Sequence, residues 1–151
     1  MTSYASQYPP SVPFDPAFKT FFEDFYRISD DPEAHEIYAD QFTPDATLVM
    51  ASKRVQGRDE IIAVRKAMWE KVASRLHKPL KIFPYGPDSD QVMLHGSVAY
   101  GLKDNNNGGG DGGDNVSVEW AAYAHLVKGG DDGVVRMDFY QVYLDTAAQK
   151  R

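Results

Sequence analysis

The sequence has no cysteine, no long apolar run and no excess of basic residues. Without a thiol, the chain of 151 residues forms no disulfide, thiolate nucleophile or thiolate metal site. No apolar stretch approaches the roughly 18 residues that a membrane-spanning helix needs. The 16 basic residues are scattered and outnumbered by 22 acidic ones, for a formal net charge of −6. Neither nucleic acid nor an anionic membrane is an expected partner, because each needs a clustered basic face.

The N-terminal segment lacks the pattern of a secretory signal and the periodicity of regular structure. Residues 1–13, MTSYASQYPPSVP, have no basic start and no apolar core, so no secretory signal is expected. Their proline and serine content predicts a flexible arm, and 147–151 are expected to form a tail. The segment between them, 14–146, has the length of one domain. The absence of cysteine fits a reducing compartment, and a cytoplasmic location is the expectation.

Aromatic residues are abundant. They make up 13% of the chain and include eight phenylalanines and nine tyrosines. A tyrosine buries a large apolar ring but needs a hydrogen-bond partner for its hydroxyl. The composition therefore favours either a polar-lined cavity or a large interface, and it does not decide between them.

The first half of the chain has the periodicity of helices. Apolar residues spaced by three and four predict a first helix over 14–28. A second is expected over 32–42, with Tyr38 on its buried side, and a third over 57–77, ended by Pro79.

The second half has the alternation of strands, separated by turn signals. The low-complexity tract 104–115 faintly resembles calcium-binding repeats, but those need stacked copies, so a mobile hairpin loop is predicted. Helices followed by an antiparallel meander indicate an α+β fold. The predicted strands are 46–51, 80–85, 91–103, 116–128 and 134–145.

An arginine interrupts the apolar face of the third predicted helix. Ile61, Met68 and Trp69 lie on that face, and Arg65 lies in its middle. A guanidinium stays charged, so in a core it needs a carboxylate or a ligand anion. The alternative is that its stem packs while the charged head reaches solvent.

The last predicted strand carries a candidate acid. Strict alternation places Asp138 and Tyr140 on the same face of 134–145. That face points either to solvent or into a cavity, where burial would raise the pKa of the carboxyl and suit it to proton transfer.

The four histidines form no metal motif. No pair has the spacing of metal ligands on a helix, and no phosphate-binding glycine loop or nucleophile elbow occurs. No metal or cofactor is therefore predicted. His95 lies in a predicted strand and could line a cavity or be an ordinary strand residue.

Two short motifs carry a family resemblance. FTPDAT at 42–47, followed by GRDEI at 57–61 opening a helix, resembles the signature of the nuclear transport factor 2-like superfamily. The superfamily includes SnoaL-like polyketide cyclases, ketosteroid isomerases and scytalone dehydratases. The resemblance implies a cone over 14–146, in which three N-terminal helices pack on a strongly curved antiparallel sheet that encloses a pocket and often dimerises. MWEKV at 68–72 and MDFYQVY at 137–143 resemble SnoaL-like proteins of filamentous fungi, which implies no particular activity.

The resemblance also assigns individual positions. Against the ketosteroid isomerase pattern, Tyr26 matches the tyrosine of the first helix, but Met50 and Ala124 stand where the two acids would be. Steroid isomerisation by that mechanism is therefore not expected. The polyketide cyclases place an acid on the last strand, which implies that Asp138 and Tyr140 face the pocket.

Two functions remain open on these grounds. One is a cofactor-free lyase, isomerase or cyclase, with Asp138, Arg65, Tyr26 and Tyr140 converging on the cavity. Asp138 removes a proton beside a carbonyl, and Arg65 or Tyr26 stabilises the oxyanion. The other is a non-catalytic module that binds a ligand or dimerises, with Arg65 and Asp138 as a structural ion pair; a transport adaptor has no distinctive support. The expected partners are a small apolar or aromatic molecule and a second copy of the chain. The expected ligand-binding residues are Trp69, Met50, Tyr38, His95, Trp120 and Ala124.

Overall fold

A computed structural model describes residues 4–103, 115–129 and 132–149, and it confirms the α+β class. Six strands form one curved, unclosed sheet in the order β2-β1-β6-β5-β4-β3, with the three helices in the first half of the chain. Strands β1 and β6 pair in parallel and the other neighbours are antiparallel. The elements are α1 (Pro16–Ser29), α2 (His35–Ala39), β1 (Phe42–Met50), β2 (Lys53–Gln56), α3 (Arg58–Met68), β3 (Val72–Pro84), β4 (Gln91–Leu102), β5 (Asn115–Lys128), β6 (Val135–Leu144) and a final 3₁₀ turn (Thr146–Gln149).

The start of helix α1 is set by a capping aspartate and a proline. The Asp15 carboxylate accepts a hydrogen bond from the Ala17 amide at 2.9 Å, and Pro16 occupies the first helical position. The helix buries one aromatic face against the sheet and ends at Asp30. Phe25, at the centre of that face, has ring contacts with Tyr38, Phe42 and Tyr140.

The predicted second helix is too long at both ends. The Asp31 side chain bonds the Glu33 amide in a turn, so the helix starts only at His35. Phe42 pairs with Met137 in the sheet and not with a helical neighbour. Strand β2, which the sequence did not predict, then forms a hairpin with β1.

The largest error concerns the third helix, which ends at Met68 and not near His77. Gly57 opens it with a φ of 88°, a conformation that favours glycine. Residues 72–84 form one long strand that pairs with β4 from Val72 to Pro84. Sheet pairing over this whole length outweighs the helical preference of the segment.

The N-terminal segment lies along the free edge of β3. Gln7 forms a parallel bridge with Lys81, and the Ser6 hydroxyl donates to the Pro79 carbonyl at 2.5 Å. The sequence predicted a flexible arm here, because the pairing of Gln7 with Leu80 and Ile82 uses backbone groups, which leave no side-chain pattern. These contacts cover an edge that would otherwise expose unpaired backbone groups.

Two further points concern the described residues. The hairpin loop predicted at 104–115 falls outside them, except for Asn115 at the start of β5. Within them, no helix combines the length and the apolar character needed to cross a membrane.

Candidate functional site

The helices and the inner face of the sheet enclose a narrow inner cavity that widens into an outer one. The inner cavity has a volume of about 40 Å³ and the outer cavity about 390 Å³. The outer volume lies in the range of small-molecule sites. Both cavities are lined by Met50, Met68, Arg75, Tyr100 and Leu144, so they adjoin one another.

Two buried tyrosines meet in the inner cavity. Tyr26 from α1 and Tyr140 from β6 place their hydroxyl oxygens 2.7 Å apart. Burial is the main cause that raises the pKa of each hydroxyl well above its usual value. Both phenols are therefore neutral near pH 7. One hydroxyl proton serves the mutual bond, which leaves the other for a ligand.

A carboxylate and a histidine form a second pair beside the tyrosines. Asp30 Oδ1 lies 2.5 Å from Nδ1 of His77, and Asp30 Oδ2 accepts the His77 backbone amide at 2.9 Å. The imidazole packs at 5.3 Å from the Tyr26 ring and 5.8 Å from the Trp120 ring, and it lines the inner cavity. Because a carboxylate only accepts, Nδ1 carries the proton, and Nε2 is the nitrogen through which neutral His77 can act as a base.

The same carboxylate is reached from the N-terminal segment. The Tyr4 hydroxyl donates to Asp30 Oδ2 at 2.7 Å. Asp30 therefore accepts three hydrogen bonds, which hold it in one orientation towards His77.

Arg65 is buried, as one alternative from the sequence required, and its hydrogen-bond partners are backbone carbonyls and not the predicted carboxylate. Its side chain is 1% exposed, and its Nη atoms donate to backbone carbonyls at the end of α1, Ser29 at 3.1 Å and Asp31. These carbonyls are the negative end of the helix dipole. Arg65 therefore ties α3 to the end of α1, and its guanidinium lies over the Tyr38 ring at 4.8 Å.

Arg75 stands where the two cavities meet. Its Nη2 donates to the Met68 carbonyl at 3.1 Å. Its guanidinium lies over the rings of Trp69 and Tyr100, at 4.8 and 5.0 Å from their centroids. Its Nη1 is buried, and no group among the described residues accepts a hydrogen bond from it.

Six of the predicted site residues come together in the inner cavity. They line it from six different elements, α1, α2, α3, β1, β5 and β6. They are Tyr26, Tyr38, Met50, Arg65, Trp120 and Tyr140.

The structure corrects the position of Asp138. The pairing of β5 with β6 shifts register between His125 and Leu126, so Asp138 is the extra residue of a β-bulge. The bulge lets Met137 and Tyr140 both face inwards and turns Asp138 to the outer face, where its side chain is 41% exposed and bonds Nδ1 of His125 at 2.7 Å. Simple alternation could not show this, because one extra residue reverses the faces that follow it.

Three other predicted residues also lie outside the cavity lining. His95 is 46% exposed on the outer face and bonds Glu119 at 3.3 Å, because its strand neighbours Leu94 and Gly96 take the inward positions. Trp69 is the C-cap residue of α3, and its ring packs against the Arg75 guanidinium. Ala124 is fully buried in the core and pairs with Tyr140.

Sequence reasoning missed the residues with the most chemistry, Asp30, His77 and Arg75. It treated Asp30 as a helix break and the other two as helical. Arg75 and His77 are two apart, which is the spacing of one strand face. That signal would have placed both on the inner side if 72–84 had been taken as a strand.

The fold is that of the nuclear transport factor 2-like proteins, as comparison with solved structures shows. A protein from Jannaschia sp. CCS1 assigned as a SnoaL-like polyketide cyclase is 16% identical, with 88% of each chain covered and a TM-score of 0.66. Nuclear transport factor 2 from Cryptosporidium parvum is 14% identical, with 89% of this chain and 100% of that chain covered and a TM-score of 0.65. A protein from Novosphingobium aromaticivorans assigned as a scytalone dehydratase is 14% identical, with coverages of 85% and 82% and a TM-score of 0.66. No protein-family model and no curated protein matches the chain.

Proposed function

We propose that the chain is a cofactor-free lyase, isomerase or cyclase that acts on a small aromatic molecule, with His77 as its general base. The observation that carries the proposal is the Asp30–His77 pair placed beside two neutral, buried tyrosine hydroxyls. This assignment moves the role of the base from Asp138, which faces outwards, to His77.

In the proposed reaction, His77 transfers the proton and the tyrosine pair stabilises the developing negative charge. Neutral His77 accepts through Nε2 a proton from a carbon next to a carbonyl, and the Asp30 carboxylate stabilises the imidazolium that forms. A hydroxyl of the Tyr26–Tyr140 pair donates to the oxygen on which negative charge develops. The imidazolium then returns its proton to another carbon in an isomerisation. In an aldol-type cyclisation the enolate carbon attacks a second carbonyl of the substrate, and the proton goes to the alkoxide oxygen that forms. In a dehydration the proton goes to a leaving hydroxyl, which departs as water.

The cavity shape agrees with this division. The outer cavity takes the body of the ligand, while the narrow inner cavity takes the reacting end beside His77 and Tyr26. The Tyr100 ring, which lines both cavities, suits a flat, apolar body, and the Trp120 ring adds an aromatic wall to the inner cavity. The solved neighbours assigned as a cyclase and a dehydratase are in keeping with such chemistry.

The test is proton exchange at carbon. Small aryl ketones such as 2-tetralone are incubated with the protein in D₂O, and loss of the α-proton signal is followed by NMR; β-hydroxy aryl ketones report water loss by enone absorbance. We expect catalysis by the wild type and its loss, by about a hundred- to ten-thousand-fold, in His77→Gln. The matched control His95→Gln, on the exposed outer face, should retain it. Equal rates in both variants would contradict the role of His77.

The alternative of a non-catalytic ligand-binding module has a distinct signature. In that case calorimetry would show that the ketones bind, while neither exchange nor water loss exceeds the buffer rate. His77→Gln would then change affinity alone.

We also infer a homodimer that pairs the outer faces of two sheets. Large apolar side chains lie exposed there, with Met93 41%, Tyr143 47% and Phe83 49% exposed. Met93 is flanked across the sheet by Phe83 and Tyr123, so they form one continuous patch. Such a patch favours association over solvent exposure.

The dimer is tested by sedimentation equilibrium. Met93→Glu should convert a dimer to a monomer, because it buries a charge at the interface. Ile37→Glu changes a similarly exposed apolar residue on α2 and should leave the dimer intact. A wild-type monomer at high micromolar concentration would refute this surface. We further propose that the protein is cytoplasmic and that it is related to the SnoaL-like proteins of filamentous fungi.

A further inference from the structure

Two arginines line the inner cavity, and their hydrogen bonding differs. Both Nη atoms of Arg65 donate to carbonyls at the end of α1, and its Nε is the atom left without an acceptor among the described residues. Arg75 donates to the Met68 carbonyl and hydrogen-bonds the Tyr100 side chain, but among the described residues nothing accepts from its buried Nη1. A buried charged donor without an acceptor is costly, so this atom is suited to a ligand acceptor.

The position of Arg75 gives that acceptor a definite place. The guanidinium lies at the junction of the two cavities and is held over the rings of Trp69 and Tyr100. Burial lowers the pKa of Arg75 while Tyr100 favours its charged form, and an arginine remains protonated near pH 7 in either case. The described residues that line the inner cavity include no carboxylate, and at the outer cavity the acidic residue described is the exposed Glu70.

We propose that Arg75 binds a carboxylate of the ligand, so that the cavity selects small aromatic carboxylic acids over their neutral analogues. The inference rests on the proposed use of the cavity as a substrate site. It adds to that function the substrate class: a flat apolar body in the outer cavity, with an acid group at the junction. A planar guanidinium offers two parallel donors to a carboxylate, which a lysine would not.

The test compares acids with their primary amides by isothermal titration calorimetry. Benzoate, cinnamate and 2-naphthoate are each paired with benzamide, cinnamamide and 2-naphthamide, which keep the shape and remove the charge. We expect at least one acid to bind about ten- to a hundredfold more tightly than its amide. Arg75→Gln should abolish this preference, whereas Arg54→Gln, an exposed arginine on the outer face, should keep it.

Several results would overturn the inference. They are equal binding of acid and amide by the wild type, an acid preference that survives Arg75→Gln, absence of binding by all three acids, and inorganic phosphate binding as tightly as the best acid. The wild-type comparison does not depend on how well Arg75→Gln folds, which circular dichroism checks.

The result is separable from the proposed catalysis. His77→Gln should keep the acid preference, because His77 lines the inner cavity alone, whereas Arg75 lies at the junction with the outer one. A preserved preference without proton exchange in the wild type would support carboxylate binding and refute the base. Proton exchange in the wild type together with equal binding of acid and amide would support His77 as the base and refute carboxylate binding by Arg75.

Discussion

The substitution Asp30→Asn tests the proposed base without knowledge of the substrate. Asp30 uses its two oxygens differently: Oδ2 accepts from the Tyr4 hydroxyl and the His77 amide, and Oδ1 faces Nδ1 of His77. An asparagine at this place can keep its oxygen at the Oδ2 position and so retain both of the first bonds. Its NH₂ group then occupies the Oδ1 position and donates to Nδ1.

This arrangement forces the tautomer of His77 to change. In the wild type Nδ1 carries the proton of the neutral ring and Nε2 has the lone pair; in the variant Nδ1 must accept, so Nε2 carries the proton. His77 then has no lone pair for a substrate, and proton-transfer activity should fall about a hundred- to ten-thousand-fold. The number of hydrogen bonds is conserved, and neutral bonds replace charge-assisted ones, so the free energy of unfolding should fall by only about 1 kcal/mol.

Long-range ¹H–¹⁵N spectra of the imidazoles measure the tautomer directly. We expect the neutral His77 ring to be protonated at Nδ1 in the wild type and at Nε2 in Asp30→Asn. Asp24→Asn is the matched control, because Asp24 lies on the same helix in an exposed pair with Arg27. A wild-type ring protonated at Nε2, or an unchanged tautomer in the variant, would refute the reasoning.

Three further predictions test the surroundings of the site. Tyr4→Phe removes one of the donors that orient the carboxylate, and should lower turnover several-fold with little change in affinity, as steady-state kinetics would show; an unchanged rate would contradict this. Gly96→Ala should destabilise by about 1–3 kcal/mol in urea, because its methyl would meet a backbone carbonyl and lie 2.8 Å from the Trp120 ring, whereas Gly86→Ala meets nothing within 4 Å and should be neutral. Burial lowers the pKa of His125, but the carboxylates of Asp138 and Asp90 outweigh it and raise that pKa overall. The interaction of His125 with these carboxylates therefore stabilises the fold fully below the unfolded pKa of about 6.5, and it weakens as pH rises through the pKa of folded His125. His125→Gln should remove this loss of stability, which is at most about 1 kcal/mol between pH 6 and 8.

The fold could be predicted because its signals are repeated along the chain. The apolar face of α1 involves several aromatic residues, so an error at any one position would not hide the helix. The alternation of β4 and β5 is similarly redundant, and it gives the α+β class without any long-range information. The motif at 42–47 then sufficed to select the cone among such folds.

The site depends on single residues, and the local sequence patterns predicted their positions wrongly in two places. Strand β3 begins only four residues after α3 ends, and its conformation is set by pairing with β4, which no local pattern reveals. The bulge at Asp138 is one extra residue in β6, which alternation cannot detect. One error hid His77 and Arg75, and the other placed an outward-facing acid inside.

Both failures concern parts of the chain that shape the cavity. The bulge brings Tyr140 to the inner face, where it meets Tyr26; without it, strict alternation would put Tyr140 on the same face as Asp138. The early end of α3 lets β3 run beside the mouth of the cone and deliver Arg75 and His77 from one strand face. The bulge costs stability relative to regular pairing, and it delivers the Tyr140 hydroxyl to the cavity that Arg75 and His77 also line. A local irregularity that stabilises nothing else and positions a buried polar group is a physical argument that this cavity is the functional part of the molecule.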